Sequence, residues 1–204
     1  MKLIGSNTSP YVRKARLVLL EKNIQHTYVV DPPSDPKSEV YRFNPLGRIP
    51  ALILDDGTCV FDSTVIADYA DTFNDTPILI PRNDIEARMR VKRWESLADG
   101  IMDSAVVVRN EQIRPQDKQD PATLSLHIGA INRALEHISS QLGKREWCEG
   151  SSITLADLAL ISALMYLDLR KAVPDWRTPH ANLATWFKQH SARPSVQASL
   201  VEQA

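Results

Sequence analysis

The chain has 204 residues, enough for one large domain or two small ones with real cores. Hydrophobic residues make up 43% and charged residues 24%, and with a net charge of −1 nothing favours nucleic acid or an anionic membrane as an obligatory partner. The most apolar run, 158-LALISALMYL-167, has ten residues where a bilayer span needs about 20, and Met1–Gly5 is too short for a secretory apolar region.

The first 73 residues change period repeatedly. Lys2–Gly5 reads as a short strand, and Val12–Asn23 puts Val12, Ala15, Leu19 and Leu20 on one helical face. His26–Val30 alternates as a strand does. In 31-DPPSDPKSEV-40, Asp35 is placed to cap a helix with Pro36 at its first position. The runs 51-ALIL-54 and 58-TCVF-61 flank Asp55-Asp56-Gly57, a hairpin turn signal, and a helix starts at Ser63. This order predicts a small mixed sheet, with one parallel pair from the βαβ unit and antiparallel strands from the hairpin.

Asn74–Arg82 holds two prolines and reads as a linker. After it no strand signals occur. Ile85, Met89, Trp94, Ala98, Ile101, Met102 and Ala105 mark one face of a long helix, and Leu124, Ile128, Ile131, Leu135, Ile138 and Leu142 mark the seam of another. In 153-ITLADL-158, Thr154 can cap, Asp157 sits at the third helical position, and Ile153 can staple onto Leu158. Leu183, Trp186 and Phe187 form a further amphipathic helix, and Pro194 restarts the chain after Arg193. The expected fold is α/β followed by all-α.

Chemistry concentrates at 6-SNTSPY-11. Ser9 before Pro10 fits a structural cap, yet a helix N-terminus also stabilises an anion, to which the Ser9 hydroxyl can donate. Ser6, Asn7 and Thr8 are alternative donors in the same loop. Cys59 and Cys148 are far apart, with no CxxC and no metal-type spacing to histidine. Two lone cysteines fit a reducing compartment, and the cytoplasm is the expected location.

Four stretches, 9-SPYVRKARL-17, 44-NPLGRIPAL-52, 61-FDSTVIADY-69 and 153-ITLADL-158, resemble the cytosolic glutathione transferases in order and spacing, and 183-LATWFKQHSARPSV-196 is similar to the family's C-terminal region. The resemblance implies a thioredoxin-like, glutathione-binding domain over residues 1–78 and a helical-bundle domain over 84–204. It implies that glutathione is the co-substrate, with no metal, and that Ser9 activates its thiolate for conjugation to a small hydrophobic electrophile. The resemblance further implies that Ile49 precedes a cis Pro50 and pairs with the cysteinyl part, that Ser63 holds the γ-glutamyl carboxylate, and that Asp62 attracts the ammonium.

Arg48 is a candidate contact for a glutathione carboxylate. Tyr11, Met102, Ala105 and Val106 are candidates for the acceptor pocket, while Asp99 and Asp103 share a helix face without an assigned role. Thr154 and Asp157 are assigned to stability, and His127 and His137 to the surface. A homodimer is implied, without nucleic acid or membrane. Two other functions share the same features: a non-catalytic scaffold, disfavoured by retention of Ser9 and of Asp62-Ser63, and a glutathione-dependent peroxidase.

Overall fold

The structure, a computed structural model, describes residues 1–200. Strand β1 (Lys2–Gly5), helix α1 (Pro10–Glu21) and strand β2 (Thr27–Val30) form the βαβ unit, and β1 and β2 pair in parallel with Lys2 opposite Thr27. Strands β3 (Ala51–Ile53) and β4 (Cys59–Val60) form the hairpin, and β3 lies antiparallel on β1. The sheet order is β2-β1-β3-β4, the thioredoxin-like arrangement expected. Gly57 turns the hairpin at φ +85, a left-handed conformation that glycine adopts without steric cost. Helix α2 (Ser63–Asp71) follows.

The helix expected after Asp35 is absent. The Asp35 carboxylate accepts from the Lys37 N–H at 2.8 Å, which closes a local turn, and only one 3-10 turn forms, at Val40–Arg42. Between Pro36 and Arg42 only Val40 is buried, so a helix there would have no apolar face to pack.

The second half holds α3 (Ile85–Gln112), α4 (Pro121–Leu142), α5 (Leu155–Arg170), α6 (Ala181–Ser191) and α7 (Pro194–Ser199). Helix α5 is apolar on every side because it is surrounded: it packs on α3 and on α1, which joins the two halves in one continuous core. On α3 the expected face is buried from Trp94 to Ala105, but Ile85 and Met89 are 78% and 53% exposed.

The proline-rich segment after α2 is fastened rather than loose. Lys22, fully buried, donates to Asp71 at 3.1 Å and to the Asn74 and Pro77 carbonyls at 2.7 Å each. Asp71 also accepts from the Leu79 and Ile80 N–H groups, and the Leu79 carbonyl accepts from Leu155 N–H at 2.9 Å.

At the start of α5 the buried Asp157 carboxylate accepts from the Thr154 N–H and hydroxyl and from the Cys148 N–H, all at 2.8–2.9 Å. Asp157→Ala strands these donors in the core, and urea denaturation should show a loss of about 2–4 kcal/mol. Asp157→Asn, which keeps an acceptor oxygen, should lose less.

Candidate functional site

The corner between β1 and α1 is built tightly. A Cβ on Gly5 would lie 2.4 Å from Val12, so glycine lets the strand end pass against the first turn of the helix. Ser9 is the N-cap of α1, extended at φ −73 and ψ 125, and its Oγ accepts from the Val12 N–H at 3.3 Å. The hydroxyl proton therefore stays available to a ligand. Ser6, Thr8, Ser9, Pro10 and Tyr11 all line a cavity of about 850 Å³. Asn7 does not, and its Oδ1 accepts from the Tyr28 hydroxyl at 3.2 Å.

The Ile49–Pro50 peptide is cis, as expected, and both residues line the same cavity. Sequence reasoning missed the residue that holds this loop. Asn44, 2% exposed, donates to the Arg48 carbonyl at 2.9 Å and accepts from the Leu46 N–H at 3.0 Å. The signal was an asparagine at a turn, where its side chain can stand in for backbone partners.

Asp62 caps α2, accepting from the Thr64 and Val65 N–H groups at 3.0 and 3.4 Å, and Ser63 beside it is 3% exposed on the cavity wall. Two helix N-termini, each with a serine, thus open on one cavity. Both carry partial positive charge suited to anions.

The opposite wall comes from α3 and α5: Asp103, Val106, Val107, Asn110, Tyr166 and Arg170. Met102 and Ala105, expected there, are instead fully buried in the core between helices. The face presented to the cavity is 103/106/107/110, while 98/101/102/105 faces the neighbouring helices. A methionine in a helical stripe serves here as core packing. Tyr11 lines the cavity as expected, and its hydroxyl donates to Asp103. Burial, reinforced by Asp103, pushes the Tyr11 phenol far up, so it remains a protonated donor. Arg48 is an exposed part of the rim.

Behind the corner lies a second constellation that sequence reasoning did not assemble. Lys14 is fully buried on α1 and donates to Glu95 at 2.9 Å and to the two Asp99 oxygens at 2.7 and 2.8 Å. Lys92 pairs with Glu95 at 2.5 Å and with Asp68 at 3.1 Å, extending the network to α2. Asp99 thus faces α1, and burial raises its carboxyl pKa against the opposing pull of Lys14. The signal available was positional: Lys14 falls one turn after Pro10 and one turn before Val18, both buried.

Family models described as the glutathione S-transferase N-terminal and C-terminal domains match residues 8–72 and 117–189. A protein of Escherichia coli named "Uncharacterized GST-like protein YibF" is 37% identical over 195 residues, 96% of either chain. A glutathione S-transferase from Methylobacillus flagellatus, solved with GSH bound, superposes with a TM-score of 0.93 at 41% identity, over 97% of this chain and 98% of its own. One from Methylobacterium radiotolerans, solved with glutathione sulfonate, has a TM-score of 0.93 at 33% identity, over 100% of this chain and 95% of its own.

Proposed function

The chain belongs to the glutathione S-transferase family, and on that premise we propose that it activates the thiolate of glutathione and conjugates it to small electrophiles, a detoxifying reaction. The observation that carries this reading is the pair of helix N-termini, Ser9 on α1 and Asp62-Ser63 on α2, opening on one cavity. The relatives solved with GSH and with glutathione sulfonate support glutathione as the occupant.

In this reading Ser63 and the α2 N-terminus hold the γ-glutamyl carboxylate, Asp62 attracts the ammonium, and Ile49 pairs with the cysteinyl backbone. The sulfur lies at Ser9, whose hydroxyl donates to the thiolate while its oxygen accepts from Val12. The thiol proton passes to solvent. The sulfur electron pair then forms the bond to the acceptor carbon. A leaving group departs with its bonding pair, or the π pair of a conjugated double bond moves to the adjacent carbon, which takes a proton from water. Binding both partners adds proximity. The acceptor occupies the wall formed by Tyr11, Val106 and Val107.

Calorimetry with glutathione, combined with a conjugation assay on a panel of aryl halides and conjugated enones, tests the proposal. Glutathione binding with saturable conjugation supports it. Binding without turnover of any acceptor supports the scaffold reading, and loss of peroxide without conjugation the peroxidase reading.

We place the division of the chain at residues 1–78 and 84–204, and read it as a cytoplasmic homodimer. The free Cys59 and Cys148 suit a reducing compartment. Val65 and Phe73 from the first half, with Ile85 and Met89 from the second, are exposed apolar side chains on and around α2 and α3. A two-fold dimer would cover them, first half against second. Sedimentation should give about twice the 22.9 kDa chain mass, and the double variant Ile85→Asp/Met89→Asp should sediment as a monomer.

A further inference from the structure

We infer that the acceptor carries a carboxylate and that Arg170 selects it; this rests on the transferase reading and names its substrate class. Arg170 ends α5 and lines the cavity with Tyr166, Val107 and Asn110. Its guanidinium lies 5.5 Å from the centroid of the Tyr166 ring, one turn back on the same helix. That contact orients the planar fork without occupying its donors. The Arg170 Nε is buried and has no hydrogen-bond partner among the described residues.

The nearby carboxylates are already engaged. Asp168 accepts from Arg177 and from Trp176 Nε1, Asp103 accepts from Tyr11, and Asp62 caps α2. An arginine at a helix C-terminus also complements the carbonyl end of the helix dipole, an attraction that gives Nε no acceptor among the described residues. A buried donor left unpaired is costly, and a turn of the side chain onto a ligand in the cavity would recover that cost. The guanidinium fork matches a carboxylate in two parallel hydrogen bonds.

The acceptor then runs from the thiolate at Ser9, past Tyr11, to Arg170. Sulfur supplies the electron pair of the new C–S bond. Either a halide departs with the old bonding pair, or the π pair of a conjugated double bond moves to the adjacent carbon, which takes a proton from water. The carboxylate at Arg170 is unchanged in both cases.

Product-like ligands isolate the contact from turnover. Calorimetry would compare S-carboxymethyl-, S-(2-carboxyethyl)- and S-(3-carboxypropyl)glutathione, each against its primary amide. For at least one length the acid should bind the wild-type chain about tenfold or more tighter than the amide. Arg170→Gln should bring that ratio to about one, and Arg170→Lys should restore part of it. Glutathione itself should bind wild type and Arg170→Gln alike, which also reports that the variant is folded. Equal binding of acid and amide at every length overturns the inference and leaves the transferase reading standing. Weaker binding of glutathione to Arg170→Gln overturns it too, by moving Arg170 to the glutathione side. Failure of glutathione to bind the wild type removes the transferase reading and the inference together.

Discussion

Replacing Lys14 with methionine should lower the free energy of unfolding by about 3–5 kcal/mol, the cost of breaking a buried ion pair by removing one partner. Lys14 has no exposed surface and lies among Glu95, itself 2% exposed, Asp99 and the Thr64 hydroxyl. Glu95 keeps Lys92 in the variant, but Asp99 loses its ion-pair partner. Burial already raises the Asp99 carboxyl, with Lys14 the main opposing influence, so the variant should raise it further. A folded-state pKa above the unfolded value means that the native chain binds more protons between the two. Stability therefore falls as pH rises through that window.

The deficit of Lys14→Met relative to wild type should accordingly be larger at pH 8 than at pH 5, measured by urea denaturation at both. Adding Asp99→Asn should recover much of the loss. A deficit under 1 kcal/mol, or one that does not change with pH, would mean that Lys14 is not the counter-charge of Asp99.

Ser9→Ala should reduce kcat/KM for conjugation at pH 6.5 by about 10–100-fold, and the loss should shrink at high pH. A free cysteine-like thiol has a pKa of about 8.5, so lowering it by two units needs about 2.7 kcal/mol of preferential anion stabilisation. A hydrogen bond to a charged group contributes about 1.5–3 kcal/mol and the helix N-terminus about 0.3–1 kcal/mol. The hydroxyl is therefore the larger contributor. Without it the bound thiol should titrate closer to its free value, so the pH–rate profile should move up and the two enzymes converge where glutathione is ionised in both. A uniform loss at all pH values would point to positioning instead of thiol activation. Thr8→Ala and Ser6→Ala, on the same wall, identify the donor if Ser9→Ala leaves the profile in place.

The elements readable from sequence were those fixed by local rules. Proline after Ser9, Asp-Gly in the hairpin and the Thr154–Asp157 pair each specify a cap or turn within a few residues, and each lies where it was expected. Asp35-Pro36 carries the same local signal, but without apolar positions behind it the backbone closes a turn and continues. Contacts between distant segments were not legible. Lys14 meets Glu95 and Asp99 more than 80 positions away, and no local pattern announces that pairing. Met102 and Ala105 show the other limit: periodicity gives the helix, whereas the face that meets the cavity depends on how α5 and α4 pack around it.

Ultraviolet difference titration of glutathione with the protein, run across pH beside Ser9→Ala, tests thiolate activation most directly. The wild type should show thiolate absorption with a midpoint about one to two units below the free thiol value of about 8.5, and Ser9→Ala should move that midpoint back up. Bound glutathione that ionises at its free value in the wild type, or at the same lowered midpoint in both proteins, would contradict activation by Ser9.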